Sequence, residues 1–377
     1  MRYVLDFHRM TKSDVYFADT RARRKSDNLV SKVGRLLKAS GLDGVFGKGD
    51  LVAIKTHFGE PGNTTFIRPQ LLDKIVEVIA RKGGKPFLTD ANTLYVGQRS
   101  NAVDHLTTAA RHGFTFPVVN APVIIADGLK GKDQVEVRVS LKHCKTVKIA
   151  AAASQADSII GVAHFKCHGA TGFGGALKNI GMGLGSRAGK LDMHCDVHPS
   201  VKEEKCKSCG LCVKNCPSGA IRLRNKADID EKQCIGCGEC CVYCPNKAIA
   251  PGGHVGKKVL QEKIVEYCYG VLKDKRGKAG FVTFVVDVTP DCDCPPWSDK
   301  PIVPDIGILV SKDIVAIDQA SADLVNKESG IENTRLERNL ASGMDKFKAL
   351  HKVNWEIQLA YAEKLGLGSR DYRLIRI

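Results

Sequence analysis

Eight of the fifteen cysteines in this chain of 377 residues fall into two copies of one spacing. The copies are Cys206-x2-Cys209-x2-Cys212-x3-Cys216-Pro217 and Cys234-x2-Cys237-x2-Cys240-x3-Cys244-Pro245. Three thiolates with two residues between them can reach three irons of one cube from a single tight loop, while the fourth cysteine, followed by proline, leaves the loop and ligates the other cluster. The spacing therefore predicts two 4Fe-4S clusters stitched from both copies, with Cys206, Cys209, Cys212 and Cys244 around one and Cys234, Cys237, Cys240 and Cys216 around the other. A structural zinc site needs only four ligands and no exchanged, proline-tagged cysteine. The match of Cys216-Pro-Ser-Gly-Ala-Ile221 to Cys244-Pro-Asn-Lys-Ala-Ile249 extends the repeat beyond the ligands and predicts two pseudosymmetric halves. Cys241 reads as a small buried hydrophobe.

A second concentration of reactive groups runs from His164-Phe-Lys-Cys-His168 through a glycine-rich stretch, Gly172 to Gly185, to Asp192-Met-His-Cys195. Glycines after an apolar strand can turn successive N–H groups toward an anion, so Gly172, Gly174, Gly175 and Lys178 are candidate cofactor-binding residues. A tight turn packed on the cysteine segment is the alternative, since the run fits neither the Walker nor the Rossmann spacing. His164, His168 and His194 are open to three roles: metal ligands, a proton relay, or hydrogen-bonded core residues. His57, in Lys55-Thr-His57-Phe-Gly-Glu60, and Asp90 follow apolar runs and, with Glu60 and Arg68, are candidates on the same rim; a helix cap is the alternative for Asp90. The catalytic candidates are thus His168, Lys178, His194, His57 and Asp90. Cys292 and Cys294, in Asp291-Cys-Asp-Cys294-Pro-Pro, could bind a soft metal, form a redox-active disulfide, or sit as unreactive thiols in a turn.

These groups need a frame, and the apolar pattern supplies one. Leu51–Thr56, Pro86–Thr89, Val123–Ala126 and Ser158–Val162 read as buried strands, with helices at Leu71–Lys82 and Ala102–His112 between them. Gly83-Gly84 reads as a helix cap and turn. Val135–Val139 alternates strictly and reads as an edge or antiparallel strand. After the cysteines, Pro251-Gly252-Gly253 marks a boundary, followed by a helix near Lys258–Lys273, strands at Phe281–Val288 and Ile306–Val310, and a helix near Ile314–Asn326. The tail from Asp345 to Leu365 reads as one helix. The expected fold class is α/β: a largely parallel or mixed sheet in residues 1–198, completed by residues 252–377, with a small α+β ferredoxin-like module inserted at 199–251.

Composition narrows the function classes. The formal charge is +16, and aromatic residues make up 6%. Anionic clusters would offset part of the basic surplus; the rest suits an acidic redox partner or an anionic substrate. Nucleic acid is not an expected partner, because the basic residues are dispersed and no base-stacking motif occurs. Met1 to Met10 carries Arg2, Asp6, His8 and Arg9, which does not suit a signal core, and no apolar run reaches the ~20 residues of a membrane span. Many free thiols point to a reducing, cytoplasmic setting.

Val52–Glu60, Asn63–Pro69, Lys85–Gly97, Gly172–His194, Val288–Cys294 and Pro304–Val310 together resemble the iron-sulfur centre proteins called domain of unknown function 362, over most of the chain. The cysteine segment resembles a bacterial two-cluster ferredoxin. His168, Lys178 and His194 around Gly-Phe-x-Gly are similar to the amino-terminal domain of nickel-pincer lactate racemase. That resemblance implies a lysine tether or anion anchor at Lys178 and a ligand or base at His194. Leu177 and Cys167 depart from the patterns, standing where arginine and glycine are expected. The expected function is an iron-sulfur protein relaying electrons from a protein partner to a substrate or small-cofactor site in the α/β domain, possible as a ferredoxin-dependent oxidoreductase. A carrier or scaffold without its own chemistry, and a redox-neutral enzyme of racemase-like fold with structural or sensory clusters, are the alternatives.

Overall fold

Short apolar runs buried on both faces form a sheet that must be covered on both sides. The computed structural model describes residues 12–194, 198–250, 255–338 and 340–377. Met1 to Met10, Cys195 and Pro251-Gly252-Gly253 lie outside the described residues. The main sheet has eight strands in the order Tyr372–Arg376, Ser13–Asp19, Gly307–Ser311, Ala279–Val285, Ser158–His164, Leu51–Lys55, Lys85–Asp90 and Val123–Ile125. Only Gly307–Ser311 runs antiparallel to its neighbours, so the sheet is α/β and mostly parallel, as expected. Alternate residues point to opposite faces. Ala53, Ile159, Phe281 and Val285 therefore join one core, and Val52, Ile54, Ile160, Val282 and Phe284 the other.

Local signals explain where the helices begin and end. Pro69 opens Pro69–Arg81, where a missing N–H costs nothing, and Gly83 at φ 83° turns the chain out of it. Asn101 caps Ala102–Arg111 by accepting from the Asp104 N–H. Two expectations are corrected. The tail is two helices, Lys346–His351 and Glu356–Lys364, because Lys352 takes the left-handed conformation (φ 49°) and breaks the run. The strand expected to reach Val288 stops at Val285, where the chain turns toward Cys292. Gln134–Arg138 is the antiparallel strand of the two readings of Val135–Val139, pairing with Thr146–Ala150 in a ribbon separate from the main sheet.

The strand order positions the site. From Leu51–Lys55 the chain builds outward through Lys85–Asp90 to Val123–Ile125, then returns to place Ser158–His164 on the other side of Leu51–Lys55. This reversal is a switch point, where open α/β sheets leave a crevice beyond the strands' carboxyl ends. Lys55, Asp90, His164 and Val285 end neighbouring strands there.

Five sheet strands precede the cysteine segment and three follow it. The segment itself holds two small antiparallel pairs, Ser200–Val201 with Ile249–Ala250 and Ile221–Leu223 with Ala227–Ile229, and short helices Leu211–Lys214 and Glu239–Tyr243. Its tie to the larger part is a buried ion pair: Arg187 Nη1 lies 2.6 Å from Glu239 Oε1, and Arg187 also donates to the Ser100 carbonyl. Removing one partner of a buried pair leaves the other charge uncompensated, at a cost of about 3–5 kcal/mol. Glu239→Ala should accordingly lower stability by about that amount and speed limited proteolysis of the cysteine segment, whereas Arg187→Met with Glu239→Leu should restore most of the loss in urea unfolding.

Candidate functional site

A cavity of about 270 Å³ opens beyond the carboxyl ends of the switch-point strands. His57, Asp90, His168, Gly174, Gly175, Lys178, His194, Cys292 and Cys294 all line it. Of the residues singled out in the sequence, Gly172, His164, Glu60 and Arg68 do not. Gly172, at φ 79°, serves the hairpin Lys166–His168/Gly172–Gly174, and a Cβ there would lie 2.5 Å from Trp355 Cβ. His164 is held in the core between Asp293 (3.0 Å) and the carbonyls of Val286 and Asp287. Glu60 instead holds Arg99 (2.8 Å), and Arg68 is an exposed residue 3.7 Å from Asp287.

The glycine run does not offer a free anion nest at the start of helix Ala176–Gly181. Asp318 accepts from the N–H groups of Ala176 (2.6 Å) and Leu177 (2.9 Å), so its carboxylate already fills that position. A Cβ at Gly175 would lie 2.2 Å from Asp318 Oδ1, which explains a glycine there. Burial pushes Asp318 up to about 7 against the pull of those N–H groups. What the helix brings to the cavity is Lys178, which has no hydrogen-bond or ion-pair partner among the described residues.

Charges that the sequence did not single out surround it. Lys55 is buried, 3.1 Å from Asp90, and donates to Asn179 Oδ1 (2.8 Å) and the Thr56 carbonyl (2.7 Å). Burial brings its ammonium down to about 8 despite Asp90. Burial alone would raise Asp90, but Lys55, His57, His105 and Arg99 outweigh it and hold the carboxyl low. Arg99, Lys166 and Lys190 also line the cavity, with Lys166 3.2 Å from Asp293. A lysine closing an apolar strand was a legible signal for Lys55; Arg99, Lys166 and Lys190 arrive through tertiary packing.

Two of the cavity's histidines, His57 and His168, are kept neutral. Burial, then Arg99, lowers His57, and burial, then Lys178, lowers His168. His57 Nδ1 accepts from the Gly59 N–H (3.0 Å), which assigns its proton to Nε2, 3.8 Å from Cys294 Sγ. His168 Nδ1 likewise faces the N–H groups of Ala170 and Thr171. Cys294 is held well below the usual thiol range, first by the Cys292 thiol donating to it and then by His57 and Lys178 against burial; Cys292 is raised by the same bond.

The eight repeat cysteines form two further groups. One small cavity is lined by Cys206, Cys209, Cys212 and Cys244, and the other by Cys216, Cys234, Cys237 and Cys240. Each takes three cysteines from one copy and the fourth from the other. The copies also match in backbone: Ser208 and Gly210 repeat as Gly236 and Gly238, all at positive φ, and Gly219 repeats as Lys247. N–H groups support the sulfurs, Ala248 donating to Cys244 Sγ at 3.2 Å. Among the described residues no three His, Cys, Asp or Glu side chains converge on a single-ion position. This donor set fits a 4Fe-4S cube.

Residues 52–323 match the family described as Domain of unknown function (DUF362). Solved structures with similarity include the lactate racemase apoprotein from Thermoanaerobacterium thermosaccharolyticum, at 18% identity and a TM-score of 0.38, over 72% of this chain and 51% of that one. A protein from Thermotoga maritima gives 10% identity and a TM-score of 0.39, over 90% of this chain and 59% of that one. The chain thus spans between half and three-fifths of those proteins' lengths. No curated protein matches.

The geometry at Cys294 is open to test. An ordinary thiol, titrating near ~8.5, gains about twentyfold in thiolate between pH 7 and 9. Iodoacetamide should label Cys294 at a rate that is nearly flat over that range, and Cys292→Ala combined with His57→Ala should restore a rising profile, read by peptide mass spectrometry.

Proposed function

Because the chain belongs to the DUF362 family, whose description assigns no activity, we propose its function from the site itself: a redox protein that relays electrons through two 4Fe-4S clusters to an anionic substrate in the cavity at the sheet's carboxyl edge. The observation that carries this reading is the exchange of the fourth cysteine between the two small cavities, a pattern a pair of cubes requires and a zinc site does not. When bound, the clusters would supply electrons one at a time.

The remaining work falls to the chain's own residues. Cys209 is exposed at one end of the cysteine segment, among the exposed Lys205, Lys207, Lys214, Arg222 and Arg224, a surface suited to an acidic electron-transfer protein. At the other end Gly238 rests on Leu94, where a Cβ would lie 2.7 Å from Leu94 Cδ1. Leu94 also lines the large cavity, so one side chain separates the second cysteine loop from the substrate space. Lys178 binds the substrate's negative charge and stabilises more of it as reduction proceeds. His168, neutral with its proton on Nε2, is placed to donate that proton. The Lys55–Asp90 pair holds the floor of the site in register.

Anaerobically purified protein should contain about eight irons and eight labile sulfides per chain. Cys244→Ala should remove the cluster held by Cys206, Cys209 and Cys212, and Cys216→Ala the other, each leaving about half of the iron; zinc without labile sulfide would refute the reading. Lys178→Ala and His168→Ala should keep full cluster content yet lower the oxidation of reduced methyl viologen by small anionic substrates at least about tenfold.

A further inference from the structure

Cys292 and Cys294 take no part in the relay as described, yet both line its substrate cavity. Cys294, with Leu94 and Tyr95, lines both the substrate cavity and a second cavity whose opposite wall is Cys241, Lys247 and Ile249 of the cysteine segment. Successive residues of an extended chain point to opposite sides. Asp293, fully buried, is pinned by His164 (3.0 Å) and Lys166 (3.2 Å), so the residues on either side of it turn the other way, toward the cavity. The chain bends at Asp293, and both cysteines line the same wall of the cavity. Cys294 Sγ lies 3.8 Å from His57 Nε2, a position where the ring N–H favours a thiolate, and Lys178 lines the same cavity. A thiolate beside a thiol is the reduced half of a disulfide couple.

We propose that Cys292 and Cys294 form a reversible dithiol–disulfide couple that collects electrons singly from the cluster side and hands them in pairs to an anionic two-electron acceptor held by Lys178. It deepens the relay reading and rests on it for its source of electrons. In the forward step the Cys294 thiolate and Cys292 thiol become one S–S bond, releasing two electrons and the Cys292 proton. The acceptor takes both electrons and that proton, and takes a second proton from His168 where its product needs one. Two electrons, delivered one at a time, then break the S–S bond, and one proton returns to Cys292. His57 Nε2–H stabilises the Cys294 thiolate in the reduced state, and Lys178 is freed for the next acceptor when product leaves.

The test is thiol trapping on anaerobic, cluster-loaded protein oxidised with diamide, with iodoacetamide labelling of the peptide carrying both cysteines. Oxidised protein should lose label at both positions and gain an internal disulfide by mass. Reduced methyl viologen should restore both labels at least about tenfold faster in loaded protein than in chelator-stripped protein. Cys292→Ser and Cys294→Ser should each abolish the disulfide while leaving iron, sulfide and the paramagnetic signal of the reduced clusters unchanged. Loaded protein whose two cysteines stay fully labelled after oxidation, or that carries a metal blocking both, overturns the couple. Equal rates of re-reduction with and without clusters overturn the transfer of electrons from the clusters to the thiols. Protein that never holds iron and sulfide yet forms the disulfide overturns the relay reading separately.

Discussion

Lys55 and Asp90 end adjacent parallel strands and face each other 3.1 Å apart, each almost without exposure. An isolated charge there would cost several kcal/mol, so neither residue is tolerable alone. Their pairing fixes more than two side chains. Asn179 accepts from Lys55 Nζ and donates to the carbonyls of Lys55 and Val162, clamping the helix that carries Lys178 to the two strands at the switch point. Asp90 also faces Arg99 (3.5 Å), and Arg99 reaches Glu60, so the loops after both strands are tied into the same network. The cavity's shape follows from the need to keep these charges matched.

That network was mostly hidden in the sequence, for a physical reason. The cysteine repeat was legible because a cluster loop is local: its ligands must lie within a few residues to reach one cube. His168, Lys178 and His194 were legible as a cluster because a hairpin and two short helices keep them close along the chain. Asp318, by contrast, caps a helix more than a hundred residues away, and no spacing announces that. The anion nest expected of the glycine run failed on this point, since the N–H groups were real but already occupied. The strands Ser13–Asp19 and Tyr372–Arg376 escaped for a related reason. They pair in parallel across nearly the whole chain, and the half-exposed Tyr-Arg-Leu-Ile-Arg run lacks the continuous apolar character of the buried strands.

The attachment of the cysteine segment follows the same logic of matched burial. Its sulfur-lined cavities and small apolar core are built from its own residues, such as Ile221, Ala227, Ala248 and Ile249. Its contacts with the larger part include Glu239 on Arg187 and Gly238 against Leu94. Gly238 is constrained twice, by its φ of 76° and by the lack of room for a Cβ. Any larger residue would push the second cysteine loop off Leu94, widening the gap between it and the cavity.

Electron count places a further demand on a site of this kind. On the proposed reading the clusters carry single electrons, whereas most stable reduced products of small anions differ from their precursors by two. Something between the cysteine loop and the substrate must hold the first electron or wait for the second. Arg99 and Lys190 cannot accept electrons. Cys292 and Cys294 both line the substrate cavity, Cys294 also lines the second cavity, and a pair of sulfurs can absorb two electrons by breaking one bond; the buried Asp293 between them is held by His164.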